Sequence, residues 1–153
     1  MKILIGVDDS PHSKAAVEYV KQMTWPKGST IQVLSVVRPV VPVYSEAFVP
    51  PATYVGEMNE ETIRFHQETA ANAERDLQGT GLRTEARILS GDPRTELVEA
   101  AREERADLLV VGSHGRTGVA KLLMGSVAAY VAAHAPCSVM VVKLGAPPAS
   151  TRK

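Results

Sequence analysis

The sequence predicts an α/β fold, a single-domain, open, doubly wound sheet of five parallel strands with helices on both faces. Three observations carry that prediction. Five short runs rich in Val, Ile and Leu alternate with four helical patterns, the order produced by parallel strands joined through right-handed crossovers. Three of those runs are apolar almost throughout, as strands covered on both faces must be. The length of 153 residues, with 44% apolar and 22% charged, suits one ordinary globular domain and is too hydrophobic for a wholly disordered chain.

The runs are Ile3 to Val7, Ile31 to Val37, Leu82 to Leu89, Leu108 to Val111 and Ser138 to Val142. The first, fourth and fifth are the near-continuous ones, whereas the third keeps Arg83, Glu85 and Arg87 and reads as an edge. In the first helix Ser10 is placed to cap, Pro11 suits the first helical position, and Ala16, Tyr19, Val20 and Met23 share one face. The second helix is predicted over Glu57 to Gln78, with Ile63, Ala70, Ala73 and Leu77 inward, acidic residues at its dipole-favoured start and Gly79 at its end. Asp92, Pro93 and Glu96 open the third, which turns Leu97, Val98 and Ala101 inward. The fourth starts near Ser126 and stops before Pro136.

Two segments stand outside this alternation. Residues 38–56 hold four prolines with Tyr44, Phe48 and Tyr54, which makes them either a lid or partner surface, or a surface insertion packed by its own aromatics. The folded domain is expected to span 1–144. The remainder, 145–153, has Pro147 and Pro148 without a large apolar residue and is expected to be disordered.

Composition narrows the function. Lys plus Arg and Asp plus Glu both number 17, so the chain lacks the basic excess of a general nucleic-acid or membrane-surface binder. Residues 1–78 carry 7 basic and 10 acidic side chains and residues 79–153 carry 10 and 7, so an anion belongs with the second half. The longest apolar run, Val127 to Ala133, has 7 residues against about 20 for a membrane span. The single cysteine, Cys137, excludes an internal disulfide. Charge reaches the N-terminal run by Asp8, too early for a secretory signal, and a cytoplasmic location is expected. His12, His66, His114 and His134 are scattered without metal-ligand spacing.

Open α/β sheets bind ligands beyond the carboxyl ends of their strands, where strand order reverses. The first strand ends in Gly6-Val7-Asp8-Asp9-Ser10. The fourth runs into Gly112-Ser113-His114-Gly115-Arg116, and nine residues separate Gly115 from Gly125-Ser126 at the start of the last helix. Glycines let backbone N–H groups come close to an anion, and a helix N-terminus adds further donors, so this segment reads as a phosphate cradle. The phosphate loop Gly-x4-Gly-Lys-Ser/Thr, the dinucleotide fingerprint Gly-x-Gly-x2-Gly and the Gly-x-Ser-x-Gly nucleophile elbow are all missing from the sequence.

The pattern Gly112-x2-Gly115-x9-Gly125-Ser126 after an apolar strand, with Val7-Asp8-Asp9-Ser10 after the first, resembles the ATP-binding branch of the universal stress protein family over nearly the whole chain. The resemblance implies strand order 3-2-1-4-5, a homodimer formed through Ser138 to Val142, and a site for ATP or another adenine nucleotide. By position it implies Gly6, Val7 and Asp8 beside ribose and phosphates, and the backbone of Val36 at adenine. Val111 and Gly112 would flank the sugar. Gly115, Arg116, Gly125, Ser126 and Val127 would hold the phosphates, with Mg²⁺ bridging phosphate oxygens and Asp8 as the protein group nearest to it. Gly6 stands where some relatives carry proline.

Blander roles stay open for several of these residues. Ser126 is either an N-cap or a phosphate donor, and one hydroxyl can be both. Asp8 either meets the ligand or caps the first helix with Asp9 and Ser10, Asp9 being the preferred cap. Nothing in the sequence fixes a nucleophile beside His114, His66 reads as a satisfied core or interface histidine, and Cys137 as a buried inert thiol. The leading expectation is a nucleotide-binding and signalling module in the stress response. One alternative is a slow ATPase or self-phosphorylating enzyme with Ser113, Thr117 or Ser126 as acceptor. The other is an interaction protein with no nucleotide.

Overall fold

The computed structural model describes residues 1–42, 51–116 and 124–145. Among them the elements run β1 Lys2–Gly6, α1 Pro11–Gln22, β2 Thr30–Val37, α2 Ala52–Gln78, β3 Arg83–Ser90, α3 Pro93–Glu103, β4 Leu108–Gly112, α4 Ser126–His134 and β5 Ser138–Val142. All pairings are parallel, in the expected order β3-β2-β1-β4-β5. The chain winds outward from β1 to β3 and then returns to the other side of β1 to lay down β4. The loops leaving β1 and β4 therefore part from each other, and a crevice opens at their carboxyl ends.

Alternation of side chains along each strand builds two cores. Ile3, Ile5, Ile31, Val33, Leu108 and Val110 pack with Ala16 and Val20 of α1 and with Ala70 and Leu77 of α2. Leu4, Leu34, Leu109 and Val111 pack on the other face with Leu97 and Ala101 of α3 and Val131 of α4. β1 and β4 are thus covered on both sides. In β5, Val139, Met140 and Val141 are only half-buried, because the strand has a neighbour on one side alone.

The caps follow local chemistry and correct two expectations. Ser10 caps α1, as its place before Pro11 suggests, its hydroxyl accepting from the Ser13 amide at 3.1 Å, and Asp9, the other candidate, does not. Gly125, not Ser126, is the N-cap of α4, which has no side-chain cap. Asp92 caps α3 as expected, accepting from the Arg94 amide at 2.9 Å.

α2 begins at Ala52, five residues before the expected Glu57, so the acidic residues lie beyond its first turn. Tyr54 is accordingly helical, and of the proline-rich segment residues 43–50 lie outside the described residues, as do 146–153 of the tail. Ile63 was placed inward by the sequence and is 41% exposed. His66, Ala70, Ala73 and Leu77 form the buried stripe instead.

Gly56 sits inside α2 with nothing within 4 Å of the position a Cβ would take. Gly56→Ala is therefore expected to stabilise the protein by about 0.5–1 kcal/mol, read as a higher urea midpoint at unchanged slope.

Candidate functional site

The crevice is a cleft of about 590 Å³. Gly6, Val7, Asp8, Val36, Val111, Gly112, Gly115, Arg116, Gly125, Ser126 and Val127, the whole set singled out in the sequence, line it together. Chain topology alone delivers them: Gly6 ends β1 and Val7 and Asp8 follow it, Val36 is next to last in β2, Val111 and Gly112 end β4 with Gly115 and Arg116 beyond it, and Gly125, Ser126 and Val127 open α4.

Hydrogen bonds fix the floor of the cleft. The Val7 amide donates to Leu34 O at 2.8 Å and the Ser113 amide to Val142 O at 2.7 Å, carrying both ladders past the strand ends. The amide of Gly125 donates to Ser113 O at 2.7 Å, so the excursion that leaves β4 returns to its own root and starts α4 there. Lys121 and Thr117 of that excursion lie outside the described residues.

The glycines serve close approach, since none of Gly112, Gly115 and Gly125 has a positive φ. A Cβ on Gly112 would come within 2.7 Å of the carbonyl carbon of His12, one on Gly115 within 3.0 Å of Asp8 Oδ2, and one on Gly125 within 3.1 Å of Ser113 O. Gly6 is confined in the same way, by the Leu97 methyls at 3.0 and 3.2 Å.

Asp8 ties the two loops together. Its Oδ1 accepts from the Ser10 amide at 3.0 Å and its Oδ2 from the Arg116 amide at 3.2 Å, while its own amide donates to Ser13 Oγ at 3.0 Å. Asp9, expected as a cap, instead pairs with Arg116 Nε at 3.2 Å. The Arg116 guanidinium also stands 5.2 Å from the centre of the Phe65 ring, a cation–π contact. This arginine, expected to hold phosphate, is therefore drawn toward α2 and the β1 loop.

The electrostatic balance favours an anion at the α4 end. The first amides of a helix have no acceptor within it, and the positive end of the helix dipole points the same way. With no side chain capping α4, those donors open toward the cleft beside Arg116.

Sequence reasoning missed a second group of lining residues at the β2–α2 side, above all Arg38, Thr62 and His66. The signal was present for His66, a polar residue in the middle of a stripe otherwise made of Ala and Leu. Its Nδ1 lies 2.7 Å from Oγ of the fully buried Ser35, so it is a satisfied buried histidine, as read, and a wall of the cleft as well. His114 also lines the cleft, with Nδ1 3.1 Å from Ser113 Oγ and its ring 4.9 Å from that of His12.

Burial, and next Arg116, push the imidazole of His66 below its ordinary pKa of 6.5, against the opposing pull of Asp8 and Asp9. Above that value the ring is neutral in folded and unfolded chains alike. As pH falls below it, the unfolded chain takes up a proton that the folded ring resists, and stability declines until pH passes the folded pKa. Urea unfolding at about pH 7.5 and pH 5.5 is expected to show a smaller loss of stability in His66→Gln than in the native chain.

Cys137 is partly buried, and desolvation, aided by Asp107, pushes its thiol pKa up. Among the described residues no group of three or more His, Cys, Asp or Glu is placed to hold a metal ion. No helix among them is long and apolar enough to cross a membrane.

Comparison with known proteins agrees with this architecture. Residues 1–143 match the model of the universal stress protein family. A universal stress protein of Thermus aquaticus, from the 3′ region of the QAH/OAS sulfhydrylase gene, is 32% identical over 92% of this chain and 97% of its own. Among solved structures, that of MJ0577 from Methanocaldococcus jannaschii superposes with a TM-score of 0.80 at 27% identity, covering 93% of this chain and 94% of that one. A universal stress protein in complex with cAMP superposes with a TM-score of 0.60, also at 27% identity, over 93% of this chain and 95% of that one. Strand order, glycine loop and a match running almost end to end agree: the chain belongs to the universal stress protein family.

Proposed function

We propose that this protein binds ATP with Mg²⁺ in the cleft between the β1 and β4 loops and acts as a dimeric cytoplasmic binding and signalling module in the stress response. The observation that carries this reading is the opening of the uncapped α4 N-terminus, together with Gly115 and Arg116, into the same cleft as the ends of β1 and β2. A polyanion at one end and a base at the other suit that arrangement. The volume falls within the roughly 300–1,000 Å³ of small-molecule sites, and the likeness to a cAMP-bound relative supports an adenine nucleotide.

The residues present fit the nucleotide. Gly115 and Gly125 keep the phosphate end free of side chains, and Arg116 can exchange its pairing with Asp9 for phosphate. Asp8 would be the carboxylate nearest a Mg²⁺ ion carried in with the nucleotide, which would neutralise phosphate charge there. Both Asp8 oxygens already accept backbone N–H bonds, which suits a fixed carboxylate better than a base that must take up a proton. Of the candidate phosphate acceptors, Ser113 is buried. Binding is accordingly favoured over hydrolysis with Asp8 as base.

Calorimetric titration of nucleotide-free protein with ATP and Mg²⁺, beside AMP and cAMP, tests the reading. Micromolar binding of ATP by a species that sediments as a dimer is expected. If none of the three binds and the dimer persists, the protein is an interaction module. Phosphate release that tracks the purified protein and disappears in Asp8→Ala would make it an enzyme.

A further inference from the structure

His66 is 7% exposed and occupies the centre of the buried stripe of α2. A buried polar ring costs free energy unless its hydrogen bonds are met. Among the described residues one of its two nitrogens meets a partner, Nδ1 against Ser35 Oγ at 2.7 Å, with Ser35 itself fully buried on β2.

The second nitrogen, Nε2, has no hydrogen-bond partner among the described residues, and it is not sealed in either. The side-chain polar atom among them that is both sealed and unpartnered is Gln32 Oε1. His66 forms part of the wall of the cleft, beside Thr62. A ring clamped from behind thus shows its remaining nitrogen to the site.

The chemistry of that nitrogen follows from its surroundings. Burial and Arg116 keep the ring neutral near pH 7, and a neutral imidazole carries one N–H and one lone pair. The Ser35 hydroxyl both donates and accepts, so it takes whichever of the two stands on Nδ1 and leaves its complement on Nε2. With the ring already ordered by Ser35, a hydrogen bond to a ligand costs little further side-chain entropy.

Resting on the nucleotide reading above, we propose that His66 contacts the ligand directly, Nε2 hydrogen-bonding the base or sugar of the bound nucleotide, with Ser35 as the residue that positions the ring. The nucleoside is favoured over the phosphates because the donors for phosphate cluster at the β4–α4 loop. His66 enters from α2 beside the end of β2, and a neutral ring lacks the charge that draws a polyanion.

The test compares the native chain, His66→Phe and Ser35→Ala in titrations with ATP and Mg²⁺, adenosine, and inorganic tripolyphosphate. Nitrogen-15 spectra of the native imidazole with and without ATP accompany them and require no variant to fold. His66→Phe is expected to weaken ATP and adenosine about tenfold, the worth of one hydrogen bond, and to leave tripolyphosphate unchanged. Ser35→Ala is expected to weaken ATP about threefold, and ATP is expected to move the Nε2 resonance of the native protein.

If ATP binds the native chain while the Nε2 resonance stays fixed, or if His66→Phe binds ATP as well as the native chain does, His66 is merely a wall. The contact is then refuted and the nucleotide reading stands. An equal loss with tripolyphosphate overturns the nucleoside assignment, and an unaltered Ser35→Ala overturns the positioning role. Absence of any nucleotide binding by the native chain, read before a variant is made, defeats both readings together.

Discussion

Replacing Gly115 and Gly125 together by valine is expected to weaken ATP binding by at least about 100-fold, equivalent to about 2.7 kcal/mol, while the far-UV circular dichroism stays native. The two sites act by different routes. At Gly115 the new Cβ meets the carboxylate of Asp8, the mobile end of a side chain, so the fold yields cheaply while the carboxylate is pushed off the Arg116 amide. At Gly125 it meets Ser113 O and His114 Cα, both backbone, and the valine methyls stand over the first donors of α4. Isothermal titration of the folded double variant checks this. Undiminished affinity would place the ligand away from the glycine loop.

A different outcome is expected one position earlier in the pattern. Gly112 is held by packing: a Cβ there would lie 2.7 Å from the carbonyl carbon and 2.8 Å from the carbonyl oxygen of His12, in the first turn of α1. Backbone gives way only if the helix moves. Gly112→Val is expected to destabilise the fold by about 3 kcal/mol, and Gly112→Ala by nearly as much, because the clash begins at the Cβ itself. A fall in urea midpoint at unchanged slope measures it. A loss under about 0.5 kcal/mol for the alanine variant would mean that α1 slides freely over β4. Of three glycines that line one cleft, one is therefore held by packing against α1 as well, which pattern matching alone does not separate.

The sequence was most legible where burial dictates residue type. Continuous apolar runs identified β1 and β4 because helices cover both of their faces, and Arg83 and Glu85 marked β3 as an edge because both of those side chains are exposed. It was least legible where neighbouring segments decide. The start of α2 was hidden by Pro50-Pro51 and Gly56, which read as loop, although Pro51 stands ahead of the helix and one internal glycine is tolerated. Ile63 lies about 50° from the centre of the stripe formed by His66, Ala70, Ala73 and Leu77 at 100° per residue, whereas His66, read from the sequence as a core or interface histidine, belongs to the stripe.

Sequence alone left both Ser10 and Asp9 as caps of α1 because three adjacent residues, Asp8, Asp9 and Ser10, are all good caps, and the loop after β4 selects among them. Arg116 engages both aspartates, through its amide with Asp8 and its side chain with Asp9, and Ser10 is left for the helix. The eleven residues of the cleft were legible as a set because topology gathers strand ends whatever the side chains do. The β2–α2 wall was not, since it depends on where a long helix comes to rest.

The two rims of the sheet differ in a way that limits how many copies can join. Along β3 the exposed Arg83 and Glu85 put charge where a further strand would dock, which terminates growth on that side. β5, Ser-Val-Met-Val-Val, carries no charge at all. A chain with two permissive rims polymerises, whereas a chain with one can only meet a second copy rim to rim about a twofold axis, and the pair is then closed. In the dimer proposed above, growth would stop at two, with both β3 rims left to solvent. Ser138→Lys, at the exposed start of β5 and away from the residues that line the cleft, would put a charge on that rim and so separate assembly from ligand binding.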